Sequence, residues 1–202
     1  MRAVLLKDIL NLKQQAKIYI IIIAVWAAVS FINKDAVFFC ALTMLISIMI
    51  PMGAVGYDEK SKWEPYALTM PITRAQAALS KYILAFIASV FIFIISFAAS
   101  VLITHNPAYS FALSAVFLLA GMTGVSVILP IVYKFGVEKG RVVMMIILLL
   151  PVLLRFLLQK IGLSFLSISI LQNNTFLIYM ACIVLICISM IVSVNIYKHK
   201  QF

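Results

Sequence analysis

The chain has almost none of the residues that covalent chemistry draws on. Six Asp and Glu, two His and three Cys are spread over 202 positions. No Gly-x-x-x-x-Gly-Lys-Ser/Thr loop, no His-Glu-x-x-His and no Gly-x-Ser-x-Gly occurs, so nucleotide hydrolysis, zinc proteolysis and serine hydrolysis each lack their core residues. His105 lies in a short turn beside Asn106 and Pro107, and His199 in a basic tail. Both read as solvated residues rather than ligands. Cys40, Cys182 and Cys187 all fall inside apolar runs, with neither metal spacing nor a disulfide framework. No acid falls inside a long apolar run, which argues against a proton-coupled carrier. The chain is read as no enzyme, with no metal and no cofactor of its own.

Apolar residues fill that space. They make up 65% of the chain, charged residues make up 11%, and mean hydropathy is +1.18. A soluble domain of this size cannot hide so much apolar surface. The expected fold is all-α, a polytopic membrane protein of one domain over 1–202. A bilayer core about 30 Å thick takes about 20 apolar residues as helix. Six transmembrane segments meet that demand, at about 18–32, 36–56, 82–104, 108–133, 142–158 and 175–196. Ahead of them, 1–17 is amphipathic. Leu5, Leu6, Ile9, Leu10 and Leu12 gather on one face, with Arg2, Lys7, Asp8, Lys13, Gln14 and Lys17 on the rest. This suits an N-terminal helix lying in the headgroup plane. It does not read as a signal peptide, because the n-region is long and no Ala-x-Ala-like site follows.

The net charge of +10 is explained by topology. With the N-terminus inside, thirteen of the sixteen Lys and Arg fall on the inner side, leaving Lys34, Arg155 and Lys160 outside. The positive-inside rule then places both termini of a multi-pass membrane protein in the cytoplasm, and no nucleic-acid role is needed. Pro51, Pro130 and Pro151 invite kinks, and Gly121 and Gly124 permit close helix approach. Arg155 is the one charge inside a candidate span. It either lines a translocation path or snorkels outward beside Gln159 and Lys160. Gly162–Leu171 is too short to span and suits an external or re-entrant helix.

The longest polar stretch, 57–81, separates the second and third segments. Ser61-Lys62-Trp63-Glu64 fits a capping box, Pro65 tolerates a first helical turn, and Thr73-Arg74-Ala75-Gln76 is a second box. A short helix ending before Pro71 would put Trp63, Tyr66, Ala67 and Met70 on one face. Periodicity alone leaves two readings open: an interfacial helix with aromatics among headgroups, or a knob that docks in a partner's groove.

The order Tyr57-Asp58-Glu59-Lys60-Ser61-Lys62-Trp63, then Leu68-Thr69-Met70-Pro71-Ile72-Thr73-Arg74, then Leu79-Ser80-Lys81-Tyr82, resembles the cytoplasmic loop of type-2 ABC exporter permeases. The short six-span branch, including permeases that export phenol-soluble modulins and related peptides, is similar across the whole layout. The resemblance implies a coupling helix that seats in a separate ABC ATPase subunit, which carries ATP and magnesium. It implies a second permease copy, either the same chain or a paralogue, and a peptide cargo such as a toxin or bacteriocin. The docking residues it implies are Asp58, Glu59, Lys60, Lys62, Trp63, Glu64, Tyr66, Met70 and Arg74. Asp58, Glu59, Lys60 and Lys62 would form a charged rim, and Trp63 and Tyr66 would be the buried anchors. The competing readings are a substrate-binding membrane subunit of a vitamin importer, which would bind its vitamin without an ATPase, and a membrane assembly protein without transport.

Overall fold

A computed structural model of the chain describes residues 2–67, 73–160 and 175–199; the side chains at 64, 65, 148, 150–160 and 175–179, and those at either extreme of the chain, are not described. Met70 and the expected re-entrant segment Gly162–Leu171 lie outside the described residues, as do the side chains of Glu64 and Arg155.

The described residues are helical, without strands. In chain order they form α1 (Arg2–Asn33), α2 (Ala36–Lys60), α3 (Trp63–Ala67), α4 (Arg74–Thr104), α5 (Pro107–Phe135), α6 (Val137–Lys160) and α7 (Thr175–His199). Among the described residues, five stretches are long and apolar enough to cross a membrane: Val4–Asn33, Ala36–Lys60, Arg74–Thr104, Pro107–Phe135 and Met180–Tyr197. The expected segment 142–158 falls within α6.

The turns between these helices follow from their capping residues. Asp35 caps α2 by accepting the Val37 N–H at 2.9 Å. Asn106 caps α5 by accepting the Tyr109 N–H at 3.3 Å, with Pro107 in the first turn, where its missing N–H costs nothing. His105 ends α4 in the left-handed conformation, φ 53°, and its N–H closes on the Val101 carbonyl. The Thr73 box is realised: Thr73 Oγ1 accepts the Gln76 N–H at 3.3 Å, and Gln76 Oε1 accepts the Thr73 N–H at 3.2 Å.

α5 lies at the centre, against α2, α4, α6 and α7, and α1 lies against α2 and α4. Gly121 and Gly124 bring α5 onto α2. A Cβ at Gly124 would stand 2.5 Å from Ile48 Cδ1, and one at Gly121 would overlap the Ser47 hydroxyl. The shared core holds Ile48, Met52, Val125, Leu129, Tyr133 and Tyr197, while Ile20, Ile32, Phe91 and Ile191 face outward.

Pro130 leaves the Ser126 carbonyl without its helical donor. The Ser189 hydroxyl of α7 donates to that carbonyl. Ser189 has a single proton, so the Tyr82 hydroxyl of α4, at 2.6 Å, donates to Ser189 and accepts from Ser193 at 2.7 Å. A proline in one helix thereby supplies the acceptor that joins three.

Two expectations need correction. First, the interfacial segment 1–17 and the first span are one continuous helix of 32 residues, about 48 Å long at 1.5 Å per residue. Second, the polar face of its start is not all at the surface. Leu6, Ile9 and Leu10 face outward, whereas Val4 and Asp8 are buried. Periodicity set the cations toward anionic headgroups; Lys13, Gln14 and Lys17 are exposed, while Lys7 and Asp8 turn to partners on α2 and α4.

Candidate functional site: the 57–67 turn and the ionic cluster behind it

α2 runs to Lys60, a full turn beyond the boundary expected at Gly56, and α4 begins at Arg74, behind the Thr73 box expected to start it and two turns before the apolar span at Tyr82. These extensions turn the flanks of the loop into helix and give their charges fixed directions. Asp58 points inward and is 6% exposed. Lys81, on α4, is 4% exposed, and Asp8, on α1, is fully buried. Lys81 Nζ reaches Asp8 Oδ1 and Asp58 Oδ2, each at 2.6 Å. Lys7 donates to Asp58 and lies 3.4 Å from Asp8. Two cations and two carboxylates thus form a neutral cluster that ties α1, α2 and α4 together. Burying charge is costly unless it is paired and hydrogen-bonded, and mutual pairing meets most of that demand here, with Asp8 Oδ2 left without a hydrogen bond.

The neighbouring carboxylate takes another direction. Glu59 Oε2 accepts the N–H of Val137, the first residue of α6, at 3.1 Å. Gly136 makes this approach possible. Its φ of 85° suits glycine, and a Cβ there would stand 2.9 Å from Glu59 Oε1. The Glu59 carboxylate therefore sits at the N-terminus of α6, where the helix dipole favours negative charge.

The link to α3 is tight. The Ser61 hydroxyl donates back to the Tyr57 carbonyl at 2.8 Å, closing α2, and the Glu64 half of the expected capping box lies outside the described side chains. Lys62 turns the chain in the left-handed conformation, φ 49°. Trp63 and Tyr66 are 5.5 Å apart by ring centroid, and Lys7 Nζ stands 4.3 Å over the Trp63 ring. Ala67 is buried and Tyr66 is 58% exposed. The expected single face is therefore split: Trp63 and Ala67 turn toward the bundle and Tyr66 turns away.

The structure thus sorts the candidate residues. Lys60, Lys62 and Tyr66 are exposed, and Trp63 and Arg74 are half-buried. Asp58 is no rim charge, because its carboxylate is spent on Lys7 and Lys81. Glu59 is exposed yet holds α6. The Glu64 and Arg155 side chains and all of Met70 lie outside the described residues. Sequence reading missed Asp8, Lys7 and Lys81 as a unit. The available signal was an acid among four cations in the first helix of a chain with only six acids.

Two open cavities lie along α2, the first at this end and the second farther into the apolar middle. One, of about 310 Å³, lies between α1, α2 and α6 and includes Gln15, Tyr19, Tyr57, Lys60 and Arg141. The other, of about 360 Å³, is apolar and lined by Met44, Ile48, Val127, Met144 and Ile147 among others. Among the described residues no group of His, Cys, Asp or Glu is arranged to hold a metal ion. All three cysteines are free thiols.

No curated protein and no solved structure matches the chain. A family model described as ABC-2 family transporter protein matches residues 3–198, nearly the whole length, and the chain belongs to that family as a membrane subunit of an ABC transporter.

Proposed function

We propose that the chain is the permease subunit of an ATP-driven exporter in a bacterial cell membrane, with both termini cytoplasmic and six spans, of which α6 is the fifth. The turn at 61–67 docks on a separate ATPase subunit, which binds ATP and magnesium. A second permease copy completes the translocation path. The cargo is an amphipathic or hydrophobic peptide of toxin or bacteriocin type. The observation that carries this reading is the mounting of the turn. Lys60, Lys62 and Tyr66 stand exposed on a short element whose base is fixed to three long helices by buried ion pairs. A push on such an element moves helices rather than bending a loop. The uncharged groove between α2, α5 and α6, lined mainly by aliphatic side chains with Met44 and Met144, supports an apolar cargo over a sugar or metal ion.

Co-expression with the ABC ATPase encoded nearest to it, followed by purification in mild detergent, tests the reading. The wild-type chain is expected to retain the ATPase, and the Trp63→Ala, Tyr66→Ala double variant is expected to lose it while still inserting into membranes. Wild-type chain that retains no ATPase in several detergents overturns the proposal.

A further inference from the structure

Asp58 and Glu59 are adjacent in sequence, so on a helix they point about 100° apart. Asp58 contacts α1 through Lys7 and α4 through Lys81. Glu59 contacts α6 through the Val137 N–H at 3.1 Å. Among the described residues, α1 and α6 have no close backbone approach to each other, although both lie against α2. The last turn of α2 is thus where their paths meet. The turn at 61–67 joins the same place from outside, through the Ser61 bond to Tyr57 and the Lys7–Trp63 contact.

We infer that Asp58 and Glu59 are positioning residues that divide a displacement of the 61–67 turn: Asp58 passes it to α1 and α4, and Glu59 passes it to α6. They are not docking residues. This rests on the proposed coupling to an ATPase and adds how the motion is distributed. Buried ion pairs suit the first branch, because an uncompensated charge cannot be left behind when one helix moves, so the partners move together. A carboxylate on a helix N-terminus suits the second, because its bond to a backbone N–H follows the helix axis and not a side-chain rotamer.

The test uses the purified complex with its ATPase, in a background whose native cysteines are replaced by alanine. An environment-sensitive fluorophore is placed on Leu6→Cys of α1 or on Val142→Cys of α6, both outward-facing positions. The signal is the change on adding ATP with vanadate. The wild-type background responds at both sites. Asp58→Asn combined with Lys81→Met, which leaves Lys7 and Asp8 as a neutral pair, is expected to lose the α1 response and keep the α6 response. Glu59→Ala is expected to do the reverse, and Gly136→Ala, which forces the backbone away from Glu59, repeats it by another route. Loss of both responses together in one variant, loss of neither, or loss of the bound ATPase overturns the division. A wild-type chain that neither retains an ATPase nor responds at either site overturns the proposed function itself.

Discussion

The loop end of the bundle and its apolar middle solve the same problem with different groups. At the loop end, full charges are buried or half-buried, and their shortest pairings are with residues far away in sequence. Asp8 meets Lys81 across 73 positions, and Lys7 meets Asp58 across 51. In the middle the polar groups are hydroxyls, and most are satisfied within their own helix. Thr43 donates to the Cys40 carbonyl, Ser47 to Met44 and Ser89 to Ala85. Such a side chain is safe in hydrocarbon before any neighbour arrives. The comparison teaches that the ionic end depends on the assembled fold, whereas the hydroxyl middle only refines it.

That contrast can be broken by mutation. Asp58→Ala strands Lys81 and Lys7 with a single carboxylate and is expected to cost about 3–5 kcal/mol, the usual loss when one partner of a buried pair is removed. Thermal unfolding in detergent measures it, and Asp58→Asn with Lys81→Met should recover most of the loss. A single variant as stable as wild type would mean the cluster is wet. Next in size, Gly124→Leu drives a side chain into Ile48 and is expected to cost about 1–3 kcal/mol by overpacking. It tests whether the apolar middle is held by close backbone contact. Thr73→Ala removes the cap of α4 and is expected to cost about 1 kcal/mol, read as faster amide exchange in the first turn of that helix. The smallest effect per bond belongs to Tyr82→Phe, which removes two links, to Ser189 and to Ser193, and leaves the Ser189 bond to Ser126 in place. Cross-helix hydroxyl bonds in membranes average about 0.6 kcal/mol, and a much larger loss would erase the distinction between the two regions.

The residues differ in how far their roles could be read from sequence. Gly121 and Gly124 announced a close contact because small residues on an apolar helix have little other use, and the structure places them against Ser47 and Ile48. Thr73 and Gln76 were legible because a cap depends on residues only three apart. Asp8 was not. Local periodicity sees one helix at a time, and an acid opposite leucines reads as a wet face until α4 supplies Lys81. The same limit hid Glu59, whose partner is a backbone N–H at Val137, a group with no signature in the sequence. Asp58 was singled out for its place in a charged loop. It was read as a docking residue because nothing local says which side of a helix end faces the bundle.

Pro130 also bears on how the protein is made. Helices leave the ribosome in order, so α4 and α5 are in place before α7 is synthesised. Until then the Ser126 carbonyl lacks its helical donor, and Tyr82 lacks both of its serine partners. The last helix brings Ser189 and Ser193, four positions apart on one face, which meet both needs in a single register. The proline therefore acts as an address for the final helix, and a shift of α7 by one residue along its axis would leave that address unread.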